Sequence, residues 1–96
     1  MSDEAYALSL APSARRVLVE GPPRGLPLAV AAAVTEFLTG ALLDNPRRVG
    51  KPLTRELGGY HSARRGAYSV MYRIDDTERV VQVVRIDHRA DVYRTQ

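Results

Sequence analysis

The sequence predicts an α+β domain, with two N-terminal helices packed on one face of a four-stranded antiparallel sheet in the order β-α-α-β-β-β and a short C-terminal helical tail. Three observations carry this expectation. Apolar residues recur at helical spacing from Val30 to Leu42; Tyr68, Val70, Tyr72 and Ile74 alternate with Ser69, Met71 and Arg73; and the last three strand-like runs are joined by short turns. At 96 residues the chain can build one core, so residues 1–96 are read as a single domain.

Tyr6, Leu8 and Leu10 alternate with small or polar residues, predicting a first, half-buried strand over 6–10. Pro12 suits the first turn of a helix whose apolar face is Ala14, Val17 and Leu18, and Gly21-Pro22-Pro23 stops it. In the second helix, begun near Pro27, residues Val30, Val34, Phe37, Leu38, Ala41 and Leu42 form a continuous stripe that ends at Asn45-Pro46. Residues 47–58 read as a basic connector broken by Gly50 and Pro52 and anchored by Leu53 and Leu57. Strands are predicted over 60–64 and 67–74, a hairpin turning at Gly66, and over 79–86, a valine-rich run suited to a central position; the tail is predicted helical over 90–95.

Composition excludes several classes. There is no cysteine, so neither disulfides nor thiolate metal sites support the fold, and two isolated His residues do not make a metal site. No Gly-rich phosphate loop is present, so no cofactor is expected. The longest apolar run, Leu26 to Val34, is broken by Pro27 and too short to span a bilayer, and Met1 to Glu4 lacks the order of a secretory signal, which makes a cytoplasmic protein with no membrane partner the expectation.

The net charge is +3, and ten of the thirteen Arg together with the lone Lys51 fall after residue 46. The sign favours an anionic partner, although an Arg-rich, Ala-rich composition also follows from a GC-rich genome. Between residues 59 and 94 Arg, His and Tyr recur around the β-patterns. Guanidinium groups grip a phosphodiester through paired N–H donors and a His or Tyr exchanges a proton, so this stretch points to RNA or another phosphorylated partner.

The chain resembles the RelE/ParE toxin superfamily of bacterial toxin–antitoxin modules, and its RelE-type members most. The residues that carry the resemblance are Asn45-Pro46, Gly50-Lys51-Pro52-Leu53, Leu57 to Gly59, Arg64-Arg65-Gly66 leading into Tyr68-Ser69-Val70-Met71-Tyr72, and His88-Arg89 followed by Asp91-Val92-Tyr93-Arg94. The resemblance implies a toxin that enters the ribosomal A site and cleaves mRNA without a metal, is held inactive by a RelB-like antitoxin, and reaches operator DNA indirectly through that antitoxin. In such ribonucleases the ribose 2′-OH attacks the adjacent phosphate, leaving a 2′,3′-cyclic phosphate and a free 5′-OH.

By this resemblance Arg89 is the transition-state clamp, Tyr93 the residue that stacks on a base or moves a proton, and Arg65 the second catalytic cation. Arg48, Lys51, His61, Arg64, Arg73 and His88 are the candidates for RNA contact. Simpler readings stand beside these: a rim ion pair of Arg89 with Asp87 or Asp91, a Tyr93 that packs the tail, a solvated turn for Arg64 and Arg65, and hydrogen-bonded structural roles for both His. One departure is specific. RelE-type sequences often carry an Arg on the central strand where this chain has Ser69, and Arg65 is the expected substitute. Three functions follow: a ribosome-dependent endoribonuclease, attenuated or not by Ser69; an inactive toxin acting as co-repressor with its antitoxin; and a ParE-like, non-enzymatic inhibitor of DNA gyrase. The residues near 65, 89 and 93 are expected to converge on the open face of the sheet.

Overall fold

The computed structural model describes residues 5–88. The expected helical tail, and Arg89 and Tyr93, lie outside the described residues. In chain order the elements are β1 (Ala7–Leu10), α1 (Pro12–Val19), α2 (Leu28–Thr39), α3 (Ala41–Asp44), β2 (Lys51–Pro52), β3 (Tyr60–Arg65), β4 (Tyr68–Asp75) and β5 (Val80–His88), with a 3-10 turn over Arg55–Leu57.

The sheet has five strands, not four, in the order β1-β5-β4-β3-β2, and it is mixed rather than antiparallel. β2, β3, β4 and β5 pair antiparallel, while β1 runs parallel to β5 with Leu8 opposite Val81. Alternation along 6–10 identifies a half-buried strand but not its neighbour; here the Ala7 and Ala11 N–H groups donate to the Arg79 and Val83 carbonyls at 2.8 Å, fixing β1 along the outer edge of β5. The fifth strand, β2, is two residues long and contains Pro52, too short to leave a periodic signal.

The predicted second helix is interrupted. Gly40 leaves the helical region at φ −117°, ψ −98°, so the apolar stripe continues into the separate turn α3, where Leu42 is fully buried. Leu53 is half-buried and its N–H donates to the Tyr60 carbonyl, but Leu57 is 45% exposed and does not anchor the connector.

The helices cover one face of the sheet, as expected. Val34, Phe37, Leu38 and Leu42 from the helices meet Val70, Tyr72, Val81 and Val83 from the strands in one buried cluster. Between Met71 and Tyr72 the register with β5 slips, so Tyr72 faces Val83 whereas Met71 faces Arg85, leaving Val84 as the extra residue of a bulge. Ile86 is thereby kept on the core face, and the valine run that looked apolar on both sides divides into buried Val81 and Val83 and half-exposed Val80 and Val84.

Far from the hairpin turn at Gly66, the turn between β4 and β5 is tied to the rest of the molecule by Asp76. Its carboxylate accepts two hydrogen bonds from Arg47, at 3.1 and 2.7 Å, and one from the Tyr6 hydroxyl at 2.6 Å, while the Arg79 guanidinium lies 4.1 Å over the Tyr6 ring. Those donors, Arg47 first, hold the Asp76 carboxyl down at about 2. Because its folded pKa is depressed, this contribution to stability is complete above the ordinary carboxylate range and fades as pH falls from about 4 toward 2. Denaturant midpoints measured for the parent and Asp76→Asn should therefore differ at pH 7 and converge near pH 2; an equal gap at both pH values would contradict this.

Candidate functional site

Residues opposite each other across a sheet share a face, and neighbours along a strand alternate. Applied to the register, this gives the open face three rows. Arg64, Ser69 and Asp87 form the first; Lys51, Ser62, Met71 and Arg85 the second; Tyr60, Arg73, Gln82 and Ser9 the third. Arg48 joins from the loop before β2, so that Arg48, Gly50, Lys51, Leu53, Ser62 and Arg64 line one depression of about 560 Å³. None of Arg48, Lys51, Arg64 and Arg73 is ion-paired among the described residues. Arg85 is paired, with its Nε 3.0 Å from an Asp87 carboxylate oxygen.

Of the residues singled out in the sequence, Arg48, Lys51, Arg64 and Arg73 thus belong to the open face. Arg65, His61 and His88 do not. They pair with Tyr68, Tyr72 and Tyr68 respectively, on the helix-covered side. The Arg65 guanidinium sits 4.7 Å over the Phe37 ring and, with Glu36, Gly40 and Tyr68, lines a separate groove of about 430 Å³ beside α2. The expected convergence of Arg65 with the open-face cations is therefore not found, because Arg64 and Arg65 are adjacent and the period of a strand is two. Arg64 is instead the residue directly across from Ser69. That pairing, the Arg85–Asp87 pair and Tyr60 were not singled out in the sequence; alternation onward from Ala63 marks the first and the two-residue spacing of Arg85 and Asp87 the second, but no local signal marks Tyr60.

His61 is held in a different role. Its ring stacks on Tyr72 with centroids 5.5 Å apart and an interplanar angle of 22°, and its Nδ1 is buried without a hydrogen-bond partner among the described residues. Burial, and then the charge of Arg47, lower its pKa below 6.5. It is neutral at pH 7, and the stability this contributes is lost as pH falls below the unfolded value. Following the His61 ring protons by NMR should give a midpoint below 6.5; a midpoint above that value would contradict the assignment.

Among the described residues no group of three or more His, Asp or Glu side chains is placed to hold a metal ion, and no helix is long and apolar enough to cross a membrane. What the face offers chemically is unpaired guanidinium and ammonium groups, a small hydroxyl at Ser69 and another at Ser62, all on a rigid sheet.

Residues 22–93 match the ParE toxin of type II toxin–antitoxin systems, parDE. The chain belongs to that family, within the RelE/ParE toxin superfamily. Among its relatives in that superfamily, Toxin RelG of Mycobacterium tuberculosis is 52% identical over 89 residues, spanning 93% of this chain and 97% of the relative. Toxin RelE of the same organism is 45% identical over 92 residues, spanning 96% and 90%. In three dimensions the RelE/ParE fold is shared with a chain of the toxin–antitoxin complex RelBE2 from M. tuberculosis, at a TM-score of 0.77 and 49% identity over 88% of this chain and 99% of that one. A chain of the intact Escherichia coli RelBE complex has the same fold at a TM-score of 0.68 and 21% identity, over 88% and 96%.

Proposed function

We propose that this toxin is a ribosome-dependent mRNA endoribonuclease of a RelBE-type module, acting on the open face of the sheet. The observation that carries the reading is the gathering of Arg48, Lys51 and Arg64 around one depression beside Ser69. The 2′-OH of a bound ribose attacks phosphorus, the P–O5′ bond breaks, and the products are a 2′,3′-cyclic phosphate and a 5′-OH. Arg64 takes the position across the ladder from the missing family Arg, about 5 Å away at the Cα atoms, and steadies the charge on the phosphorane. Arg89 and Tyr93, outside the described residues, keep the roles that the resemblance gives them: a second cation, and a base-stacking or proton-moving group. Arg65 is better read as a helix-face residue, and His61 as a buried neighbour of Tyr72, than as catalytic groups.

The partner proposed is a RelB-like antitoxin, as in the related complexes, with operator DNA reached through it and the ribosomal A site as the place of action in the cytoplasm. The relatives named RelG and RelE favour this over gyrase inhibition. Co-repression without cleavage is the second reading, favoured by Ser69 standing where the family Arg would be, opposite Asp87 on β5 rather than a further cation. Expression of the chain alone in bacteria, with mapping of mRNA 5′ ends, separates the two. Arg64→Ala should lower cleavage about a hundredfold, the effect of losing one preorganised charged donor of about 3 kcal/mol, and Ser69→Arg should raise it. Unchanged cleavage in Arg64→Ala would remove that residue from the site, and no cleavage from the parent or from Ser69→Arg would favour co-repression.

The antitoxin reading has its own check. The gene should adjoin one for a small acidic protein, and the two proteins should co-purify through moderate salt; a chain that proves toxic with no neutralising neighbour would contradict it.

A further inference from the structure

We infer that the third row of the open face, Tyr60, Arg73 and Gln82, is a nucleobase subsite that takes the unpaired base next to the phosphate held by Lys51 and Arg64. The inference rests on the RNA reading above. Tyr60 is opposite Arg73 and Arg73 opposite Gln82, so three neighbouring strands present them side by side. Tyr60 precedes Ser62 by two residues on β3, which sets this row about 7 Å from the Lys51–Ser62 pair. That is close to the length of one extended nucleotide.

The side chains suit a base rather than a second phosphate. The Tyr60 ring is half-exposed, with the Arg73 guanidinium 5.7 Å from its centroid, so a flat aromatic surface and a planar cation stand together, the arrangement on which unpaired bases stack. No hydrogen bond holds the Tyr60 hydroxyl among the described residues. Beyond the ring, Arg73, Gln82, Ser9 and Asp75 line a polar hollow of about 720 Å³ that offers both donors and acceptors to a base edge. Charge along the face selects the occupant. The end at Arg48, Lys51 and Arg64 is cationic, whereas past the row come Asp75 and Glu78, beside an Asp76 whose charge Arg47 takes up, and these carboxylates repel phosphate and acidic peptide but not an uncharged base. A single RNA strand entering with its phosphates at the basic end and a base at the row satisfies both ends.

The test uses the full chain and a short, fluorescently labelled RNA with 2′-O-methyl riboses, which cannot undergo 2′-OH attack, together with a set of the same oligomer in which each position in turn is abasic. Tyr60→Leu should weaken binding of the intact oligomer about tenfold, and one abasic position should reproduce that loss in the parent, with no further loss when the two changes are combined. Tyr60→Phe should restore binding, which separates stacking from a folding defect. Arg64→Ala should weaken every oligomer alike. If Tyr60→Leu weakens all abasic oligomers equally, or if polyglutamate competes as well as RNA, the row is a plain cationic patch and the subsite is overturned. Binding that depends on Arg64 but ignores Tyr60 overturns the subsite alone, whereas a parent chain that binds none of the oligomers overturns the RNA reading with it.

Discussion

Tyr72 stands in the middle of β4 with no exposed surface, and its buried hydroxyl must find a partner. It donates to the carbonyl of Pro46, the second residue after α3, and burial pushes its own pKa up to about 12, so it remains a donor at any ordinary pH. An unpaired carbonyl or hydroxyl here would cost about 1–3 kcal/mol, which binds the loop after Pro46 to the sheet. Gly50 lies against the same hydroxyl so closely that a Cβ would overlap it and would meet the Ser62 carbonyl at 2.8 Å. His61 covers the Tyr72 ring. Together these contacts set the height of residues 46–50 over the sheet, and with it the positions of Arg48 and Lys51, which flank Gly50 and close the depression around Arg64.

The open face owes its charge to two features of strand geometry. The first is the period of two, which sends Arg64 toward solvent and its neighbour Arg65 back over Phe37, so that one basic pair serves two surfaces. The second is the bulge at Val84. Without that extra residue Ile86 would leave the core, and Arg85 and Asp87 would turn inward. With it, Arg85 neutralises Asp87, so that among the described residues the cations without an ion pair on this face are those of β2 to β4 and the loop before β2. The polarity of the face, basic toward β2 and acidic at the β4–β5 turn, follows from these placements.

The two sides of the molecule also divide its interactions by cost. The helix-covered side is apolar, with the groove of Ala33, Phe37 and Tyr68 edged by Arg65 and Glu36. Apart from Arg85, the open-side cations Lys51, Arg64 and Arg73 are held by backbone register and not by ion pairs among the described residues, an arrangement that spends little stability on groups kept for a ligand. The Arg47–Asp76–Tyr6 cluster does the complementary work at the other end, fastening the residue before β1, the loop after α3 and the β4–β5 turn to one another.

The sequence by itself determined the class of elements, the core-facing alternation of Tyr68, Val70, Tyr72 and the partly buried Ile74, the apolar stripe of α2 and the gathering of cations in the C-terminal half. These are local properties, because propensity and periodicity are written in residues a few positions apart. The family was legible for the same reason: short motifs in a fixed order. What only the tertiary structure decided depends on contacts between distant segments. β1 lies parallel to β5 across some seventy residues, Gly40 breaks a stripe that periodicity reads as continuous, and the Val84 bulge selects which side Asp87 takes. The exchange of roles between Arg64 and Arg65 has the same origin. The two residues are chemically identical, and only the register against Tyr68 and Ser69 tells which of them reaches the open face.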